Sequence, residues 1–314
     1  MSRLIAAAWL CLAAAWGTPS QDPPVQEATP VFRTGVADVR VVVQVTEDNT
    51  VVKGLTKDDF VITDNDLPQT IVSCDQEKER LDLLLLLDIS GSMRENIAEM
   101  ARQAREALGF LSPGDRIAIM TFAKRTNLHF DWFDNHAEVG RQLRTAADDQ
   151  EKVGYTTAIN SAVIDAARYL ARDEGGGRRS ILMVTDNLGL NYRMGDQSTI
   201  DLLLKADAVL NAIVIGRGIR PGAPKPGEDP DYTPADVFKL ADATGGEAVR
   251  AERAESFFPQ MVSRIRDRYS ISYHLPGSAV TGQFRRLTVA LSPDARRLHP
   301  KAEIRARAGY YVRR

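Results

Sequence analysis

The sequence predicts an α/β protein: a doubly wound, mostly parallel, Rossmann-like sheet, flanked by a small β unit that the N- and C-terminal segments form together. Residues 83–87 are leucine at every position, as expected for a strand buried on both faces. Strand and helix patterns alternate between residues 80 and 268, which is typical of a parallel sheet covered by helices. Strand patterns alone lie before and after this region.

The composition describes a soluble, globular chain of 314 residues, long enough for one large or two ordinary domains. The formal net charge of -2 gives no support for nucleic-acid binding, which needs an excess of basic residues. Basic residues do gather in the last third, but acidic residues lie among them, as on a solvated surface. We therefore expect no nucleic acid among the partners.

Residues 1–17 have the layout of a secretory signal peptide, with a positive start at Arg3 and an apolar run over residues 4–16. The run is too short to span a bilayer comfortably, and the alternatives are an uncleaved anchor or lipid attachment at Cys11. Residues 18–34 are rich in Pro, Gln, Asp and Thr, which predicts a linker. We expect an exported protein, periplasmic or secreted to the cell surface, without a membrane span after cleavage.

Residues 35–78 predict an N-terminal β segment. Residues 39–45 are rich in β-branched side chains, and residues 55–60 resemble a short capped turn. Strands at 60–63 and 70–72 flank a loop and predict a hairpin.

The α/β region, residues 80–268, continues this pattern. Strands are predicted near residues 83–88, 116–122, 128–132, 180–185, 209–215 and 247–250, and helices near 97–110, 139–146, 158–170, 200–206, 234–243 and 256–268. Residues 217–232 predict a surface loop. The C-terminal β segment, residues 269–314, has strands near 269–274, 284–291 and 302–311, which we expect to pair with the N-terminal strands in one small sheet domain.

Three oxygen-bearing side chains follow the leucine-rich strand: Asp88, Ser90 and Ser92. Ligands of open α/β sheets bind beyond the carboxyl ends of central strands. One carboxylate and two hydroxyls are hard oxygen ligands, which suit Mg²⁺, Mn²⁺ or Ca²⁺. The alternative is that Asp88 and Ser90 only cap the following helix.

Two other loops can join this site. Thr157 directly precedes a regular helix, and Asp186 follows the strand at 180–185. Alone, Thr157 is an ordinary N-cap residue and Asp186 an ordinary turn residue. Together with the first loop they supply two carboxylates and three hydroxyls from one sheet edge.

This constellation resembles the von Willebrand factor A (VWFA) domain and its metal ion-dependent adhesion site (MIDAS). The resemblance covers about residues 80–267 and implies the metal ligands Asp88, Ser90, Ser92, Thr157 and Asp186. Two positions depart from the family pattern. Thr156 precedes Thr157 where glycine is usual and is a rival ligand, and Asn187 stands where the third loop usually has glycine.

The flanks resemble a bacterial family of exported VWFA-related proteins. The similarity lies in residues 54–60 and in the closing strands at 269–273, 284–289 and 305–311. The biochemical role of that family is poorly defined, so the resemblance implies architecture rather than function. In related domains metal engagement can be coupled to movement of the last helix, here 256–268.

The resemblance implies a metal-dependent protein-binding module for adhesion or interaction, in which Mg²⁺ (or Mn²⁺ or Ca²⁺) binds an Asp or Glu of a partner protein. The alternative is a scaffold protein whose metal site is structural and which binds its partners through the β unit. A Mg²⁺-dependent hydrolase is less favoured, because the histidines are distant in sequence and Ser90 and Ser92 lack an evident activating base. We therefore predict that the protein is not an enzyme.

Overall fold

The computed structural model describes residues 37–76, 79–91, 93–172, 176–189, 194–216, 218, 220–222, 234–253 and 257–313. The predicted signal peptide and linker, Ser92 and most of the 217–232 loop lie outside the described residues. No helix in the described part of the chain is long and apolar enough to cross a membrane.

A six-stranded sheet forms the centre of the α/β region, in the order β11-β10-β9-β6-β7-β8. The strands are β6 (Leu81–Asp88), β7 (Arg116–Phe122), β8 (Thr126–Phe133), β9 (Arg178–Thr185), β10 (Ala208–Ile215) and β11 (Ala248–Ala251). All neighbours are parallel except β8, which pairs antiparallel with β7 at the edge. The predicted fold class, a doubly wound and mostly parallel sheet, is confirmed.

Seven helices accompany these strands in the described residues: α1 (Arg94–Leu108), α2 (His136–Ala146), α3 (Gln150–Val153), α4 (Ile159–Arg172), α5 (Asp196–Ala206), α6 (Val237–Thr244) and α7 (Phe258–Arg266). Successive side chains of β6 point to opposite faces. Leu83, Leu85 and Leu87 pack in a core with α1, α2 and α7, and Leu84 and Leu86 in a core with α4, α5 and α6. The all-leucine run is therefore explained by helices on both sides.

The β unit consists of two sheets instead of the one that we expected. Its strands are β1 (Asp38–Glu47), β2 (Thr50–Val51), β3 (Phe60–Asp64), β4 (Leu67–Gln69), β5 (Ile71–Gln76), β12 (Tyr269–His274), β13 (Phe284–Leu291), β14 (Glu303–Ala306) and β15 (Gly309–Tyr311). One sheet has the order β14-β1-β12-β5 with β2 on β1, and the other has the order β15-β13-β3-β4. Each sheet contains N-terminal strands paired with C-terminal strands, so the two segments form this unit together.

Two local differences explain the second sheet. The hairpin partner of β3 is β4, whereas β5, which includes residues 71 and 72 of the predicted strand, pairs with β12. The predicted strand at 302–311 divides into β14 and β15, which join different sheets. A short helix, α8 (Pro293–Leu298), begins after Ser292, whose side chain caps it, and connects β13 to β14.

A buried carboxylate holds the two sheets together. Asp64 is fully buried and accepts hydrogen bonds from Arg285 Nε at 2.7 Å and from the hydroxyls of Tyr273 and Tyr310, each at 2.9 Å. Burial raises the pKa of Tyr310 to about 12, so this hydroxyl stays protonated and continues to donate. The four residues come from β3, β13, β12 and β15, so one cluster spans both sheets.

Buried arginines join the β unit to the α/β region at the amino ends of the central strands. Arg268 donates to the Gly245 carbonyl at 2.6 Å, to Gln44 Oε1 of β1 at 2.6 Å and to Asn211 Oδ1 of β10 at 2.8 Å. Arg178 donates to the carbonyls of Arg266 and Arg268 at 2.8 and 3.1 Å. Burial lowers the pKa of Arg268 to about 9 and that of Arg178 to about 10. We call these two arginines and their partners the arginine junction.

Candidate metal centre

Asp88, the last residue of β6, is fully buried at the carboxyl edge of the central sheet. Its Oδ1 accepts a hydrogen bond from the Ser90 amide at 3.0 Å, and its Oδ2 accepts one from Thr185 Oγ1 at 2.8 Å. Burial, together with the nearby charge of Asp186, raises the pKa of Asp88 to about 6, against the effect of these donors. A neighbouring cation would stabilise the ionised form of this buried carboxylate.

Ser90 has a side chain that is unsatisfied within the described residues. The residue is 6% exposed, and its buried Oγ forms no hydrogen bond of normal geometry with the described residues, although it lies beside the Asp88 carboxylate and acts to lower the pKa of that group. Leaving a buried hydroxyl unpaired costs about 1–3 kcal/mol, so such a group is normally satisfied by something. Within the described residues, the Asp88 carboxylate accepts hydrogen bonds from Ser90 and Thr185. A hard cation would satisfy the Ser90 hydroxyl.

The second loop reaches the same edge through the backbone. The amide of Ala158, between Thr157 and α4, donates to the Ala123 carbonyl at the end of β7 at 2.9 Å. Thr157 is half-buried, whereas its predicted rival Thr156 is exposed. The burial of Thr157 makes it the better placed of the two hydroxyls to face a buried site.

The third loop turns at Asn187. Its φ of +55° is left-handed, a conformation in which asparagine is tolerated and glycine is common. Asp186 is 8% exposed, and its Oδ1 accepts a hydrogen bond from the Leu188 amide at 3.1 Å. Asparagine thus forms the left-handed turn at the position where the family pattern has glycine.

Strand register and loop contacts bring the three loops together. Leu87 lies opposite Val184, and Asp88 lies opposite Phe122, so β6 ends beside both neighbours. A Cβ built on Gly189 would lie 3.1 Å from the Thr157 carbonyl oxygen, so the third loop touches the second. Asp88, Ser90, Thr157 and Asp186 therefore belong to loops at one edge, and Ser92 lies outside the described residues.

The chemistry of this donor set fits a hard divalent cation. The described residues contain no group of three or more His, Cys, Asp or Glu side chains that could hold a metal. The available donors are two carboxylates and neutral hydroxyls, which are oxygen ligands of the kind that Mg²⁺, Mn²⁺ and Ca²⁺ accept. Thr185 is a residue that the sequence reasoning missed. Its hydroxyl orients Asp88, and the only signal was its place just before Asp186.

Comparison with known proteins identifies a domain in part of the α/β region. Residues 83–189 match the family model of the von Willebrand factor type A domain, and this segment contains all three loops. The chain contains a von Willebrand factor type A domain. None of the curated proteins matches the sequence.

Solved structures similar to this A domain include three of different origin. BatB from Bacteroides thetaiotaomicron is 18% identical over 59% of this chain and 97% of its own, with a TM-score of 0.43. A von Willebrand factor type A protein from Catenulispora acidiphila is 12% identical over 90% and 76%, with a TM-score of 0.46. Proximal thread matrix protein 1 from the mussel byssus, with a zinc-occupied MIDAS motif, is 16% identical over 64% and 50%, with a TM-score of 0.47.

Proposed function

We propose that this chain is an exported, metal-dependent protein-binding module whose A domain holds a divalent cation and binds a carboxylate of a protein partner. The residues that would hold the ion, Mg²⁺ or else Mn²⁺ or Ca²⁺, are Asp88, Ser90, Ser92, Thr157 and Asp186. One observation carries the proposal: the buried Ser90 hydroxyl lies beside the buried carboxylate of Asp88 and forms no hydrogen bond of normal geometry with the described residues.

The choice of an acidic partner follows from the charge of the donor set. Hydroxyls are neutral, so the charge at the ion depends on how many aspartates bind it directly. If one of Asp88 and Asp186 binds the ion and the other acts through water, the divalent ion keeps a net positive charge that attracts an anionic oxygen. An Asp or Glu side chain is the protein group that provides one. Export is proposed from the signal-peptide pattern of residues 1–17.

A hydrolase finds less support. His129 is engaged at both ring nitrogens, with Nδ1 2.7 Å from Asp149 Oδ2 and Nε2 3.2 Å from Thr145 Oγ1. These contacts tie β8 to α2 and to the turn before α3. A histidine held in this way serves packing and is not placed to activate a nucleophile at Asp88 or Ser90.

One specific observation favours the scaffold alternative. A cleft of about 940 Å³ lies between α5, α6 and the β unit, lined among others by Ile200, Leu204, Phe284 and Tyr311. Phe284 is 44% exposed, so its loss would test partner binding at this cleft without emptying the core. Phe60 and Tyr310 are each 5% exposed and serve the fold, so their substitution would not report on binding.

Calorimetric titration of Mg²⁺ and Mn²⁺ into the full chain and into its Ser90→Ala variant tests the proposal. We expect the unmodified chain to bind, and the variant to lose at least about tenfold in affinity through the missing ligand. Without metal, the free energy of unfolding of the variant should stay equal or rise slightly, by up to about 1 kcal/mol, because an unsatisfied buried hydroxyl is removed.

Ser180→Ala is the matched control. Ser180 is a buried serine near the start of β9, at the other end of the sheet, and its Oγ accepts a hydrogen bond from Asn211 Nδ2 at 2.9 Å. This variant should lose about 1 kcal/mol of stability and keep its metal affinity. Metal binding that survives Ser90→Ala unchanged, or that is absent from the unmodified chain, would reject the proposed ligand set.

A further inference from the structure

Two large apolar side chains on the loops around the candidate metal centre are exposed to solvent. Tyr155, in the second loop, is 79% exposed, and Leu188, in the third loop, is 67% exposed. Tyr155 is two residues before Thr157, and Leu188 directly follows the turn at Asn187. The contact between Gly189 and the Thr157 carbonyl places these two loops side by side. Exposed aromatic and aliphatic groups beside a binding centre are typical anchors of protein interfaces.

Two cations lie on the neighbouring turn between β7 and β8. Lys124 and Arg125 are exposed, and neither forms an ion pair with another described residue. The Arg125 amide donates to the Val153 carbonyl at 2.9 Å, just before the second loop. A Cβ on Gly154 would lie 3.2 Å from Lys124 Cβ, so the turn touches the second loop directly. We call Tyr155, Leu188, Lys124 and Arg125 the loop rim.

We propose that the loop rim is a docking surface for a protein segment in which the metal-binding Asp or Glu is flanked by an apolar residue and by further acidic residues. This proposal rests on the proposed function, because the carboxylate at the metal is its central contact. Tyr155 and Leu188 bury the apolar neighbour, and Lys124 and Arg125 face the additional negative charges.

The combined chemistry of the rim selects this partner over simpler ones. A polyanion without apolar groups would leave Tyr155 and Leu188 in water, and a basic segment would be repelled by two unpaired cations and by the metal itself. An apolar segment without acid would leave the cations and the metal without a partner. Only a segment that is both acidic and apolar complements all four side chains together with the centre.

Selection from a random-peptide library on the immobilised full chain tests the proposal without a known partner. The library is bound in buffer with Mn²⁺ and eluted with a chelator, and the same selection is run on the Ser90→Ala variant. We expect eluted sequences that carry an Asp or Glu with an aromatic or aliphatic residue within three positions and a net negative charge. The sequences should not be enriched on Ser90→Ala.

Variants then assign the contacts, with one enriched peptide as the probe. Tyr155→Ser and Leu188→Ser should each weaken peptide binding by about tenfold or more, while calorimetric metal affinity stays within about twofold. Leu298→Ser is the matched control, because Leu298 is 76% exposed on α8 in the β unit and should have no effect. Lys124→Gln and Arg125→Gln should lower the association rate and flatten its dependence on salt.

The outcomes separate this proposal from the one that it rests on. If the chain binds no metal, both proposals are wrong. If metal binds but the enriched peptides are acidic without apolar residues, or if no peptide is enriched, the loop-rim proposal alone is wrong. Binding that is equally weakened by Leu298→Ser would also overturn it.

Discussion

The two ends of the central strands are held by different kinds of contact. At the amino ends, the arginine junction ties α7, β9, β10 and β1 together through short hydrogen bonds from Arg178 and Arg268. Arg266 adds an ion pair with Asp115, with Nε 2.9 Å from Oδ2. At the carboxyl ends, backbone hydrogen bonds join the described parts of the loops, as between Ala158 and Ala123, and Ser90 Oγ forms no hydrogen bond of normal geometry with the described residues.

This difference separates structural from functional polar groups. Burying an arginine is costly unless its donors find acceptors. In Arg178 and Arg268 both Nη atoms donate, while each Nε has no partner among the described residues. The bonds of the Nη atoms indicate a permanent connection at the amino ends. A small buried hydroxyl without a partner indicates a contact that a ligand completes. The junction also fixes the C-terminal end of α7, because Arg178 donates to the carbonyls of Arg266 and Arg268. We therefore expect the two ends to respond independently.

Arg268→Met should produce the largest change in stability. The variant leaves the Gly245 carbonyl, Gln44 Oε1 and Asn211 Oδ1 buried without their donor. We expect the free energy of unfolding in urea to fall by about 3–5 kcal/mol, as for the loss of one partner from a buried charged network. Where the variant is still folded, its Mg²⁺ affinity should stay within about twofold of the unmodified chain.

Arg297→Met is the control for this change. Arg297 pairs with Asp294 on the exposed surface of α8, so its loss should cost less than about 0.5 kcal/mol. A parallel loss of metal affinity in folded Arg268→Met would show that the junction and the metal centre are coupled, and the contrast between the two ends would then be wrong.

The same contrast explains how much could be predicted from the sequence. The parallel sheet follows from the leucine run of β6 and the alternation after it, because burial between two helical layers leaves only apolar positions. The meeting of the three loops was predictable because the carboxyl ends of parallel strands lie at one edge of a sheet. The role of Thr185 was not found, since a threonine inside a strand gives no sign that its hydroxyl points to Asp88.

The arginine junction was also not predicted. Arg178, Arg266 and Arg268 are separated from their acceptors by up to 224 positions, as in the bond between Arg268 and Gln44. In sequence such arginines are indistinguishable from the solvated basic residues around them, and their burial depends on tertiary packing. The division of the β unit into two sheets was missed for a related reason. Residues 302–311 have one strand pattern, but the turn between β14 and β15 sends its halves to different partners.

Thr157→Val tests which threonine binds the metal, and its expected effect on Mg²⁺ affinity is smaller than the stability change of Arg268→Met. Valine keeps the shape of threonine and removes the hydroxyl, so calorimetric Mg²⁺ affinity should fall by about tenfold if Thr157 is the second-loop ligand. Thr156→Val is the matched comparison, because this neighbouring threonine is exposed and its loss should change affinity by less than about twofold. The reverse order of the two effects would assign the ligand to Thr156.

Substitutions at Asn187 test the shape of the third loop, and their expected effect is the smallest and most local. Asn187→Gly and Asn187→Ala both remove the amide side chain, so the difference between them isolates the left-handed backbone at φ +55°. Alanine should unfold more easily than glycine here by about 1 kcal/mol in urea denaturation. At Arg102, exposed on α1, the same pair should show the opposite order, because glycine costs about 1 kcal/mol relative to alanine in a helix.

If alanine is as stable as glycine at position 187, the loop does not need the left-handed turn. The asparagine would then be present for its side chain.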